Sequence, residues 1–196
     1  MRMRSAVWGA MLGAGAAIVG RAAIGTREGP AVDGELFALA NGQRGPLADR
    51  FFEGVTELGS LYAASAAAAT LALAGHRRAA GRALTAASVT WALGQGAKRL
   101  VERPRPHDGD PEGTRMMIAR PKGSSWPSSH PAVLTAFTRV AARELGLGRV
   151  ARAGLATLDV SVAGSRVYLG VHYPSDVASG LLMGRAVARL WPGARP

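Results

Sequence analysis

Three short clusters in this chain hold residues whose side chains handle phosphate: Lys98 with Arg105; Ser128, Ser129 and His130; and Arg166, His172 and Asp176. The third is the most informative. His172 follows Arg166 by six residues and precedes Asp176 by four. If Pro174, Ser175 and Asp176 open a helix, the carboxylate folds back on the imidazole. A carboxylate on one ring nitrogen fixes the tautomer and leaves the other nitrogen free to attack. Taken alone, a His–Asp pair at this spacing is more often structural. Arg166, near the end of an apolar run where an unpaired cation is costly, tips the reading toward chemistry.

The other clusters supply anion binding. Lys98 and Arg105 are seven apart, but Pro104 and Pro106 make one helix through both unfavourable. Lys98 is therefore expected at a helix end, with Arg105 reaching back from the loop. Lysine gives a point charge and arginine a planar fork that matches phosphate oxygens. The plain alternative is that these cations only snorkel at a helix end. Ser128, Ser129 and His130 precede Pro131 and an apolar run, and proline suits the first helical position. Ser129 or His130 then sits near the N-cap, where free backbone N–H groups and the positive helix end attract anions. A serine that merely caps the helix uses the same groups.

These segments resemble the type 2 phosphatidic acid phosphatase (PAP2) superfamily, whose site is shared by vanadium-dependent haloperoxidases. Residues 98–106 and 165–176 match the family pattern in type and spacing. Pro127-Ser128-Ser129-His130 matches with Ser129 in place of the usual glycine. A position needing positive φ would strain serine, and a tolerated conformation is expected. The resemblance implies that His172 is the nucleophile forming a phosphohistidine and that Asp176 orients it. It implies His130 as general acid and then base. Lys98, Arg105, Arg166, Ser128 and the Ser129 backbone would hold the phosphoryl oxygens. No metal or other cofactor is implied.

Long apolar stretches must position these clusters. They cover residues 5–20, 58–75, 83–97, 131–147, 150–169 and 177–191, each bounded by glycine, proline or basic residues. They predict an all-α, six-helix bundle forming a single domain over residues 1–196, expected to be transmembrane. The alanine and glycine content suits close packing of membrane helices. Residues 1–24 read as a first membrane helix or a cleaved signal. Leu36, Phe37, Leu39 and Ala40 suggest a short amphipathic helix at the interface, with Phe51, Phe52 and Val55 in a second or leading into the 58–75 run. Six crossings place all three clusters on one side. Arg2, Arg4, Arg77, Arg78, Arg82, Arg143, Arg149 and Arg152 fall on the other, which the positive-inside rule makes cytoplasmic. Trp126, Tyr168 and Tyr173 are expected at the membrane interface. Arg139 and Asp159 are expected to pair inside the bundle.

The 196 residues carry a net charge of +11, no cysteine and only 6% aromatics. Absence of cysteine excludes disulfides and thiolate metal sites. The charge calls for an anionic partner, but arginines punctuating apolar stretches do not make the stripe that nucleic acid needs. The expected function is a multi-pass cell-membrane phosphatase acting on a lipid phosphate or diphosphate, with its site on the non-cytoplasmic side. A soluble or secreted non-specific acid phosphatase of the same superfamily is the alternative, and a vanadate-dependent haloperoxidase a remote one.

Overall fold

The computed structural model describes residues 11, 13–16, 29–42 and 44–192, and they are all-helical with no strand. Residues 11 and 13–16 are helical; the remainder of the 5–20 run lies outside the described residues. Eight helices follow: α1 (Gly29–Asn41), α2 (Pro46–Glu57), α3 (Leu61–Leu73), α4 (Arg77–Leu100), α5 (Pro106–Gly109), α6 (Ser129–Glu144), α7 (Arg149–Tyr168) and α8 (Pro174–Leu190). The last five apolar runs correspond to α3, α4, α6, α7 and α8. The two helices expected at an interface have 13 and 12 residues, against 13 for α3, and each buries an apolar side chain in the bundle. Phe37 of α1 is buried against Ala163, Val167 and Val177, and Val55 of α2 against Leu134 and Val162. A simple six-helix bundle is therefore too few.

The centre is α6, which packs against α3, α4, α7 and α8. Every residue from Pro131 to Thr138 is buried. Its neighbours present alanine: Ala64 and Ala68 from α3, and Ala80, Ala83, Ala86 and Ala87 from α4, close around Val133, Phe137 and Val140. Small side chains let helix axes approach closely. The approach is tightest at α8. A Cβ added at Gly180 would lie 2.4 Å from the Ser128 carbonyl oxygen, and one at Gly184 would lie 2.4 Å from that of Ala132.

Antiparallel neighbours bring four helix ends together. The C-terminal turns of α4 and α7 meet the N-termini of α6 and α8, and all three clusters sit there. At the other end Arg82 pairs with Glu144 at 3.0 Å, and Arg143 Nη1 donates to the Ala188 carbonyl at 2.8 Å. Among the described residues no helix is long and apolar enough to cross a membrane. Nor do Arg139 and Asp159 form an ion pair within 4.0 Å: Asp159 accepts a hydrogen bond from Thr138 Oγ1 at 3.0 Å instead. The Thr138 hydroxyl, next to Arg139 on α6, reaches the α7 carboxylate without the cost of desolvating a cation.

Candidate active site

The turn between α7 and α8 is built to present one imidazole. Gly170, at φ +81°, reverses the chain, and a Cβ there would lie 2.6 Å from the Arg115 carbonyl oxygen. The Val171 and His172 amides both donate to the Arg166 carbonyl at 3.2 Å. Pro174 then opens α8 at its first position, and Asp176 Oδ2 accepts the Tyr173 amide at 2.9 Å. His172 Nδ1 lies 3.5 Å from the same Oδ2, within ion-pair range but without the alignment of a hydrogen bond. On the other side of the ring, Arg105 Nη1 is 3.4 Å from Nε2. The carboxylate favours a proton on Nδ1, which leaves the Nε2 lone pair facing the arginine.

Burial pushes the His172 imidazole down to about 3, with Asp176 opposing and Arg166 and Arg105 adding to the depression. An unfolded histidine titrates at about 6.5. The folded ring thus stays neutral while the unfolded chain takes up a proton. Its contribution to stability is full above the unfolded value and is lost as pH falls from about 6.5 toward 3. Thermal melts between about pH 7 and pH 4 should therefore show the wild type losing stability more steeply than His172→Gln. Equal slopes would mean that the ring is solvated.

The cationic groups converge from three elements. Lys98 Nζ, in the last turn of α4, donates to the Ser124 carbonyl at 2.8 Å. Arg105 Nη2 donates to that same carbonyl at 3.2 Å, its Nε to Gly123 O at 3.0 Å and its Nη1 to Val171 O at 2.8 Å. Arg166 Nη1 donates to Thr56 Oγ1 at 2.8 Å, while its buried Nε has no partner. Ser128 Oγ is likewise buried and unpartnered, and the Ser128 amide donates to the Asp176 carbonyl at 3.0 Å. Ser129 begins α6, and among the described residues no non-glycine residue has positive φ, so serine is unstrained there. Its hydroxyl accepts from Gln95 Nε2 at 3.4 Å and faces the open side of Gly94. His130, also in the first turn, has the cations Arg166, Lys98 and Arg105 and the imidazole of His172 as its titratable neighbours. Buried polar atoms are almost always satisfied in proteins, so unpartnered donors beside three cations suit an anion with several acceptor oxygens.

Some participants were not found from the sequence. Thr56 holds Arg166, the Ser124 carbonyl gathers Lys98 and Arg105, and Arg103 with Asp33 binds the far side of Asp176. Arg103 lies between Lys98 and Arg105, where residue type alone does not distinguish it from the other cations. The tyrosines expected at the interface are otherwise occupied. Tyr168 is buried and donates to Asp49 Oδ1 at 2.5 Å, while Tyr173 stacks on Arg103. Both tyrosines thus have a charged partner within the protein.

This geometry has counterparts. A decaprenylphosphoryl-5-phosphoribose phosphatase of Mycobacterium tuberculosis is 36% identical over 104 residues, covering 53% of this chain and 54% of that protein. The enzyme of the same name from Mycolicibacterium smegmatis is 36% identical over 83 residues, 42% of each chain. The chain thus matches about half the length of these relatives. Aquifex aeolicus LpxE superposes with a TM-score of 0.71 at 27% identity, covering 79% of this chain and 90% of its own. A transmembrane PAP2-type phosphatidylglycerolphosphate phosphatase from Bacillus subtilis shares the fold, with a TM-score of 0.70 at 22% identity over 95% of this chain and 92% of its own. The PAP2 superfamily model matches residues 79–195, a span that contains all three phosphate-handling clusters. By that match, and by the fold it shares with these enzymes, the chain belongs to the PAP2 superfamily.

Proposed function

We propose that the protein is a membrane phosphatase that hydrolyses a lipid phosphate or diphosphate through a phosphohistidine on His172. The observation that carries this reading is the buried imidazole of His172, with Asp176 behind Nδ1 and the guanidinium of Arg105 beside Nε2. Nε2 attacks phosphorus, a P–N bond forms, and the bond to the leaving oxygen breaks. His130 gives that oxygen a proton. His130 then takes a proton from water, which attacks phosphorus, breaks the P–N bond and releases inorganic phosphate. Lys98, Arg105 and Arg166, with Ser128 and the Ser129 backbone, hold the phosphoryl oxygens and offset the charge that develops on them. The chemistry is assigned to side chains alone, without a metal.

Two observations support a lipid substrate in a membrane. Helix α3 has no charged residue, is apolar on all sides, and leaves Tyr62 and Leu73 89% and 90% exposed. Such a helix is stable where its surroundings are apolar. The mycobacterial relatives are, by name, phosphatases of a decaprenyl-linked phosphoribose. In this orientation the site faces the non-cytoplasmic side, opposite the Arg82 and Arg143 end.

The test is phosphate release by detergent-solubilised protein from phosphatidate, lysophosphatidate, polyprenyl mono- and diphosphates and a water-soluble aryl phosphate. A lipid substrate should exceed the aryl phosphate in kcat/KM by at least about 10²-fold, since binding of the remote chain can be spent on the reacting centre. Equal rates on the soluble ester, with protein released from cells without detergent, would favour a secreted acid phosphatase instead.

A further inference from the structure

Asp176 is held from behind by an arginine to which the mechanism above gives no task. Arg103 lies in the loop after α4, with its side chain only 7% exposed. Its Nη1 donates to Asp176 Oδ1 at 2.6 Å and to Ser175 Oγ at 2.7 Å. Its Nη2 donates to Asp33 Oδ2 at 2.5 Å. Asp33, near the start of α1, also accepts the Ser175 amide at 2.9 Å and the Ser175 hydroxyl at 2.5 Å. The Tyr173 ring covers the guanidinium, with Cζ 4.4 Å from its centroid. The Arg103 main chain is equally fixed: its amide donates to Ser124 Oγ at 3.2 Å and its carbonyl accepts the Ser125 amide at 2.9 Å.

The two oxygens of Asp176 therefore have separate partners. Oδ1 meets Arg103, while Oδ2 meets the Tyr173 amide and faces His172. With one side occupied by a guanidinium, the carboxylate has no freedom to turn away from the imidazole. Charge matters as much as geometry. Arg103 alone would neutralise Asp176 and blunt its effect on the ring. Asp33 shares the guanidinium, so the three groups together keep one net negative charge beside His172. Burial opposes the charge of Arg103, but Asp176 and Asp33 raise its pKa above the ordinary arginine value.

We propose that Arg103 and Asp33 are positioning residues for the nucleophile, acting through Asp176 without touching the phosphoryl group. The proposal rests on the reading of His172 as the nucleophile. It goes beyond the three clusters, because Asp33 comes from α1, upstream of the residues 79–195 matched by the family model. The engaged geometry of Arg103 argues against a fourth phosphate-binding cation: both terminal nitrogens already meet carboxylates, and the guanidinium is stacked on Tyr173.

The test compares full-length wild type, Asp33→Asn, Arg103→Met, Arg103→Lys and His172→Ala for phosphate release in detergent, vanadate inhibition and melting temperature. Misplacing the carboxylate should cost Arg103→Met about 10²-fold in kcat, and loss of the shared charge should cost Asp33→Asn about 10-fold. KM and the vanadate inhibition constant should stay within about 3-fold of wild type, and Arg103→Lys should recover part of kcat. A folded Arg103→Met with wild-type kcat would overturn the proposal. So would a vanadate constant that rises in step with the loss of kcat, which would make Arg103 a phosphate contact. If Arg103→Met does not fold, the isosteric Asp33→Asn decides by the same criteria. Activity retained in His172→Ala would sink the nucleophile reading itself. An inactive His172→Ala beside fully active Asp33 and Arg103 variants would sink only the positioning role.

Discussion

His172→Ala should lower kcat by at least about 10⁴-fold, because loss of a nucleophile leaves only binding and charge stabilisation. Phosphohistidine is labile to acid and stable to base, so a labelled phosphate trapped by alkaline quench should appear in wild type and be missing in the variant. KM should change little, since the cations that hold phosphate remain. His130→Ala gives the contrasting result. With an aryl phosphate, whose leaving group needs no proton, the phosphoenzyme should form and then accumulate, because the water that resolves it lacks a base. A His172→Ala enzyme that still turned over lipid phosphate would place the chemistry elsewhere. The consequence is sharp because the ring is buried, with Asp176 on its Nδ1 side and Arg105 beside Nε2. The other histidine of the constellation, His130, lies in the first turn of a different helix, α6.

Arg166→Met should separate stability from activity in opposite directions. Arg166 is buried, donates one bond to Thr56, and keeps an unpartnered Nε. A buried unsatisfied donor costs about 1–3 kcal/mol, and its charge adds to that. Methionine has similar length and no charge, so the ligand-free variant should melt at a higher temperature than wild type. Phosphate at 100 times its dissociation constant should stabilise wild type by about 2.7 kcal/mol and leave the variant unmoved. Activity should fall by about 10³-fold, the usual scale for loss of a preorganised charge-stabilising group. A variant that melts lower without phosphate, yet still responds to it, would show that Arg166 serves the fold and not the anion.

Much of this was written in residue type and spacing. Lys98, Arg105, His130, Arg166, His172 and Asp176 are adjacent in the fold because helix ends alternate, and the apolar runs already imposed that alternation. The turn at Gly170-Val171-His172 could be anticipated from Pro174 after it. The roles of α1 and α2 could not be read in advance. A short helix with one apolar stripe looks the same whether that stripe meets lipid or Ala163 and Val162 of a neighbouring helix. Arg103 was hidden for a related reason. Three arginines lie between Lys98 and Pro106, and which one meets Asp176 depends on how the loop is pinned by Ser124 and Ser125, contacts far apart in sequence. Asp159 found Thr138 because hydroxyls compete with cations for buried carboxylates, and the charge pattern alone does not weigh that competition.

The main-chain bond from the Ser128 amide to the Asp176 carbonyl, together with the glycine contacts between α6 and α8, has a consequence for divergence. The spacing between the acid–base segment and the nucleophile segment is set by backbone against backbone. Outward-facing side chains on these helices have no part in it. Substitutions there can accumulate freely while the reacting groups keep their separation, provided Gly180 and Gly184 stay small. Such a scaffold lets surfaces adapt to different surroundings and partners at little cost to the interior.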